Sequence, residues 1–129
     1  MKALSVIMPW PWLILKYGKD VENRTWKTDY RGRILIHASK KVDPNLPEIL
    51  SHYEVTLSHE EMREMSLHWA GRIVGTVELA GCVRGYDSPW AEKGMWHWVL
   101  KNPRLLKTLI PAKGSLGLWE YSGNIGVEI

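Results

Sequence analysis

Phenylalanine is absent from the 129-residue sequence, cysteine occurs once and the net charge is only +3. Each shortage excludes something. The lone Cys82 cannot close an internal disulfide, and the opening M-K-A-L-S-V-I-M-P-W lacks the long apolar core of a signal peptide, so the expected setting is a reducing cytoplasm. No apolar run approaches the roughly 18 to 20 residues that cross a bilayer. Lys16 and Lys19 close the longest early one, and membrane insertion is not expected. The five histidines and Cys82 show no metal-like spacing, which argues against a zinc site, and neither a metal nor an organic cofactor is expected. No G-x-x-x-x-G-K-[ST], G-x-G-x-x-G or G-x-S-x-G pattern occurs, so P-loop hydrolysis and serine-hydrolase chemistry lose support.

What is present points to a small globular protein. Hydrophobic residues make up 45% and charged residues 24% of a length that suits one domain, residues 1–129, able to bury a core without a metal or disulfide. The small positive charge favours polyanionic partners modestly. Eight Trp and five Tyr supply all the aromatic rings, so each carries a polar handle. Such rings suit a half-wet pocket mouth, where they can stack on a base, as well as a packed core.

Local patterns predict the elements. Residues 2–8 read as a strand, ended by Pro9, and Pro11 opens a short apolar helix that Gly18 stops. Residues 20–26 read as a short strand or extended loop, and Arg33 to Ala38 as a strand apolar on both faces. A helix is predicted near Pro47, and another from the Ser58/Glu61 capping box to about Trp69, with Met62, Met65 and Trp69 on its packed face. Gly71 to Val83 forms the longest strand signal. Trp96 to Leu100 forms another, Asn102 and Pro103 predict a break, and Leu116 to Tyr121 closes the chain. The expected class is α+β, a small mixed or antiparallel barrel with two or three peripheral helices.

The densest polar cluster is G-K-D-V-E-N-R at 18–24, flanked by Trp10, Trp12 and Trp26. In an extended segment Glu22 and Arg24 project to one side, and Lys19 enters from the preceding corner. A desolvated lysine beside another cation can serve as a general base, while arginine clamps a carbonyl or phosphate. A surface ion-pair network explains the same spacing.

L-S-V-I-M-P-W-P-W (4–12), G-K-D-V-E-N-R-T-W (18–26), R-G-R-I-L-I-H-A-S-K (31–40), G-T-V-E-L (75–79) and I-P-A-K-G-S-L-G-L-W (110–119) together resemble the ASCH family over nearly the whole chain. Lys19, Glu22 and Arg24 fill the last three marked positions of its hallmark G-x-K-x-x-E-x-R. Tyr17 stands in place of the hallmark glycine, and Met8 replaces a glutamine common in the opening motif. The resemblance implies a PUA-like β-barrel, an association with RNA and a nucleobase pocket. YqfB-type members remove the acetyl group from N4-acetylcytidine, using the hallmark lysine, a threonine three residues later and a distant glutamate. Here Glu22 takes the threonine position, so only Lys19 carries over, and the arrangement looks closer to the EOLA-like branch.

Glu92 and Glu78 compete as the distant glutamate, and Glu92, in the loop region, joins Lys19 and Glu22 as an expected catalytic group. Ser5, Trp10, Trp12, Arg24, Trp26 and His37 are expected to bind substrate, with Arg31, Arg33, Lys40 and Lys41 as a basic edge for phosphate. The resulting expectation is an amidohydrolase acting on N4-acetylcytidine or a related N-acylated pyrimidine nucleoside. A non-catalytic RNA-binding module and a ribonuclease on single-stranded RNA are the alternatives.

Overall fold

In a computed structural model of the protein, residues 1–126 are described. The strands are β1 (Lys2–Met8), β2 (Val21–Arg24), β3 (Gly32–Val42), β4 (Arg72–Val83), β5 (Trp96–Pro111) and β6 (Leu118–Glu120). The helices are α1 (Trp10–Lys16), α2 (Leu46–His52) and α3 (His59–Arg63), the last continued by a π-helical segment, Glu64–Trp69. One mixed sheet has the order β2-β5-β4-β3-β1-β6, with β1 and β3 parallel and every other neighbouring pair antiparallel. Among the described residues no helix is long and apolar enough to cross a membrane.

Side-chain alternation along the central strands sorts residues onto two faces. Leu4, Val6 and Met8 of β1 and Ile34, Ile36 and Ala38 of β3 join Val77 and Leu79 of β4 in the main core. Helix α1 covers this face. Pro11 sits in its first turn, Trp12 and Ile14 enter the core, and Gly18, at φ +74°, turns the chain toward β2. On the opposite face Ala3, Leu35, Ile73 and Leu106 form a smaller apolar cluster with Trp119 and Tyr121 packed against it.

The sheet has the expected barrel-like curl and stays open, with β2 and β6 at its two edges; the Arg24 guanidinium, on β2, donates to the Ser5 carbonyl on β1 at 3.1 Å. Two expectations are corrected. The break at Asn102 and Pro103 is absent, and β5 runs through both residues. Asn102 takes φ 50°, a region asparagine tolerates, and the register shifts between β4 and β5 absorb the irregularity. The capping box forms as expected, Ser58 Oγ accepting from Glu61 N–H and Glu61 Oε1 from Ser58 N–H, both at 3.1 Å. The helix then widens from Glu64, where the Ser66 hydroxyl donates back to the Met62 carbonyl at 2.8 Å and disturbs the regular ladder. Met65 and Trp69 nonetheless stay buried, Trp69 against Trp12 with ring centroids 4.6 Å apart.

Candidate functional site: a cationic cleft over β1 and β3

The alternation that sends Leu4, Val6 and Met8 into the core leaves Ser5 and Ile7 on the other face of β1, and His37 and Ser39 lie beside them on β3. These four residues form the floor of a cleft of about 980 Å³. Lys40 and Lys41 extend it along the end of β3, the β5–β6 connection from Pro111 to Gly117 forms a wall, and Arg24 enters from the sheet edge. Arg24, Lys40, Lys41 and Lys113 are all cationic, and no Asp or Glu lines the cleft. None of the three lysines has a carboxylate partner among the described residues.

A hydrogen-bonded relay holds the floor to the wall. The Trp119 indole N–H donates to Ser5 Oγ at 3.0 Å, Ser5 Oγ lies 3.0 Å from His37 Nδ1, and His37 Nε2 lies 2.8 Å from the Ala112 carbonyl. A carbonyl only accepts, so Nε2 carries the ring proton and Nδ1 accepts from the serine hydroxyl. Burial lowers the pKa of His37, which favours this neutral tautomer, while the bond to Ala112 opposes the shift.

Gly114 packs directly on the relay. A β-carbon there would stand 2.6 Å from Ser5 Oγ and 2.8 Å from His37 Cε1, both tethered atoms. Gly114→Ala is therefore expected to destabilise the fold by roughly 1 to 3 kcal/mol through overpacking, seen as a lower urea midpoint with an unchanged slope. A midpoint equal to wild type would show that the wall is not seated on this pair.

Behind Arg24 lies a second polar group. Lys19 is only 3% exposed; its ammonium donates to the Val21 carbonyl and lies 3.4 Å from Glu22 Oε1. The other Glu22 oxygen accepts from Arg24 Nε at 3.0 Å. The Trp10 ring stands 5.1 Å from Lys19 Nζ. Burial pushes the Lys19 pKa down; Glu22 opposes the shift and the Arg24 charge adds to it. The expected convergence of Lys19, Glu22 and Arg24 is thus present as a contact chain, but only Arg24 reaches the large cleft. Lys19 instead borders a separate cavity of about 270 Å³ with Gly18, Asp20 and Asn102.

The other expected residues are scattered. Trp12 is fully buried against Trp69 and has no face left for a ligand, which corrects its expected role in binding. Trp10 is half-buried, its indole N–H donating to Asp43 Oδ2 at 3.3 Å. Trp26 is 39% exposed, braced edge-on by Trp98 beside the cleft wall at Gly117. Glu92 is exposed in the β4–β5 loop, where its backbone N–H donates to Asn23 Oδ1, on the strand position between Glu22 and Arg24 and so on the opposite face. No described contact joins its carboxylate to Lys19. Glu78 accepts from Asn102 Nδ2 at 2.9 Å and lies across from Arg33 and Lys101. Of the expected basic edge, Lys40 and Lys41 line the cleft, whereas Arg31 and Arg33 are tied to backbone carbonyls elsewhere.

Sequence reasoning missed Lys113, Gly114 and Trp119. Their one local signal is the segment P-A-K-G-S-L-G, which places a cation between small residues just before the last strand.

The sequence pattern of the ASCH domain matches residues 4–110. The chain is also similar to activating signal cointegrator 1 of Homo sapiens, 28% identical over 95% of this chain, and to that of Mus musculus, 27% identical over 95%. It spans 22% of the length of each of these relatives.

Proposed function

Because the chain belongs to the ASCH domain family, a class of PUA-like fold, we propose that its β1–β3 cleft captures a single-stranded segment of RNA. The observation that carries this reading is the charge of the cleft. Arg24, Lys40, Lys41 and Lys113 line it, no Asp or Glu does, and of the four only Arg24 has a described carboxylate partner, Glu22. Lysines at the mouth meet backbone phosphates as mobile point charges, whereas Arg24 is held by Glu22 and Ser5 and presents its remaining N–H groups in a fixed plane. The exposed Trp26 indole beside Gly117 offers a stacking face for an unpaired base, a mode that suits RNA, whose bases are read mainly where they are single-stranded.

A second reading, removal of the acetyl group from N4-acetylcytidine or a related N-acylated pyrimidine nucleoside, is favoured by Lys19. A buried amine whose proton is weakened by desolvation suits a general base, and Glu22 would orient it. Its separation from the large cleft, with Arg24 between, speaks for the binding reading first.

One pair of measurements tests both. RNA capture predicts that affinity for a short single-stranded RNA falls steeply as salt rises, and that purified protein releases no cytidine from N4-acetylcytidine. Cytidine release by the wild type, lost in Lys19→Ala, would establish the hydrolase reading. RNA affinity indifferent to salt would remove the basis of the binding reading.

A further inference from the structure

Leu116 is 95% exposed and stands at the rim of the cationic cleft. A solitary exposed leucine is ordinary on a protein surface and by itself asks for no explanation. Leu116 differs in how it is presented. The Ala112 carbonyl holds His37, Gly114 is packed on Ser5 and His37, and the Gly117 end of the loop lies against Trp26. The chain between these seats carries one large apolar side chain outward; Lys113 lines the same cleft, and the neighbouring Gly117 lies against the exposed indole of Trp26.

We infer that Leu116 is a wedge that separates two stacked bases of a bound RNA. This rests on the RNA reading of the cleft and adds to it the form of the ligand, a stacked step of a polynucleotide rather than a free nucleoside. The physical case has two parts. Inserting an apolar side chain into a base step costs stacking energy, which phosphate contacts elsewhere must offset, and Arg24, Lys40, Lys41 and Lys113 supply them within the same cleft. A wedge has to be held rigidly to transmit its push, and the seating of Gly114 on the Trp119–Ser5–His37 relay does this for the loop. The surrounding lysines, being solvated and flexible, would not separate bases.

The test uses the whole chain and a short single-stranded RNA carrying 2-aminopurine between adenines, whose fluorescence is quenched while it is stacked. Wild-type protein is expected to bind and raise the fluorescence. Leu116→Ala is expected to keep its affinity and, at saturation, to give less than about a third of the rise, because the wedge and its stacking cost are gone while the phosphate contacts remain. Leu116→Met, similar in volume, should restore most of it. A full rise with Leu116→Ala at saturation, or wild-type binding with no rise, overturns the wedge and leaves RNA capture standing. Failure of the wild type to bind RNA at all overturns the reading of the cleft, and the wedge falls with it.

Discussion

Replacing Glu22 by alanine is expected to destabilise the protein by roughly 3 to 5 kcal/mol, because it leaves a buried cation without its counter-charge. Glu22 is 6% exposed and bridges two cations, with one oxygen on Lys19 and the other on Arg24. Removing it strips Lys19 of its only described ion-pair partner and leaves the weaker influence of Asp20, in a place where the side chain is 2% exposed and water cannot replace the lost partner. Arg24 fares better, being 23% exposed and still bonded to the Ser5 carbonyl. The effect should therefore be relieved by also replacing Lys19. The double variant Lys19→Met with Glu22→Leu removes both buried charges and should recover most of the stability lost in Glu22→Ala. Urea unfolding of the variants measures this directly. A loss below about 1 kcal/mol for Glu22→Ala would mean that these charges behave as an exposed surface network, which is the alternative their spacing in the sequence left open.

The second large effect concerns the cleft. Changing Lys40, Lys41 and Lys113 together to alanine is expected to weaken binding of single-stranded RNA by at least about tenfold at low salt. Each lysine that neutralises a phosphate contributes about 0.7 to the slope of log affinity against log salt on a single strand, so the slope should become shallower by about two. The folded state should be little affected, since all three lysines are exposed and lack described ion-pair partners. Arg31→Ala serves as the comparison, because that guanidinium is tied to the Thr28 and Tyr30 carbonyls outside the cleft and should leave the slope unchanged. Equal slopes for the triple variant and the wild type would move the RNA surface away from this face.

Much of the polar chemistry was legible because it is local. Lys19, Glu22 and Arg24 lie within one corner and one short strand, and the period-two geometry of an extended chain brings Glu22 and Arg24 to the same side. The capping box at Ser58 is equally local. Accessibility was not legible. Nothing in the segment reveals that Lys19 faces inward while Arg24 reaches a cleft, since α1 and the curl of the sheet decide that. Trp12 shows the same limit: an indole beside a candidate site reads as a pocket wall until Trp69, far along the chain, is seen packed against it.

By itself, then, the sequence determined the local features: the strand at residues 2–8, the helix stopped at Gly18, the capped helix after Ser58 and the charged corner at 19–24. Each depends on residue stereochemistry, side-chain periodicity or hydrogen bonds spanning a few positions. Tertiary structure alone decided the cleft. Parallel pairing of β1 with β3 sets Ser5 beside His37, 32 positions away, and the return of the chain as β6 brings Trp119 to Ser5 across 114 positions. The turn after β5 then lays Gly114 over that pair and brings Lys113 and Leu116 to the cleft. Such neighbours depend on strand register and sheet curvature, which are cooperative results of packing the whole core and leave no signature in any single stretch of chain.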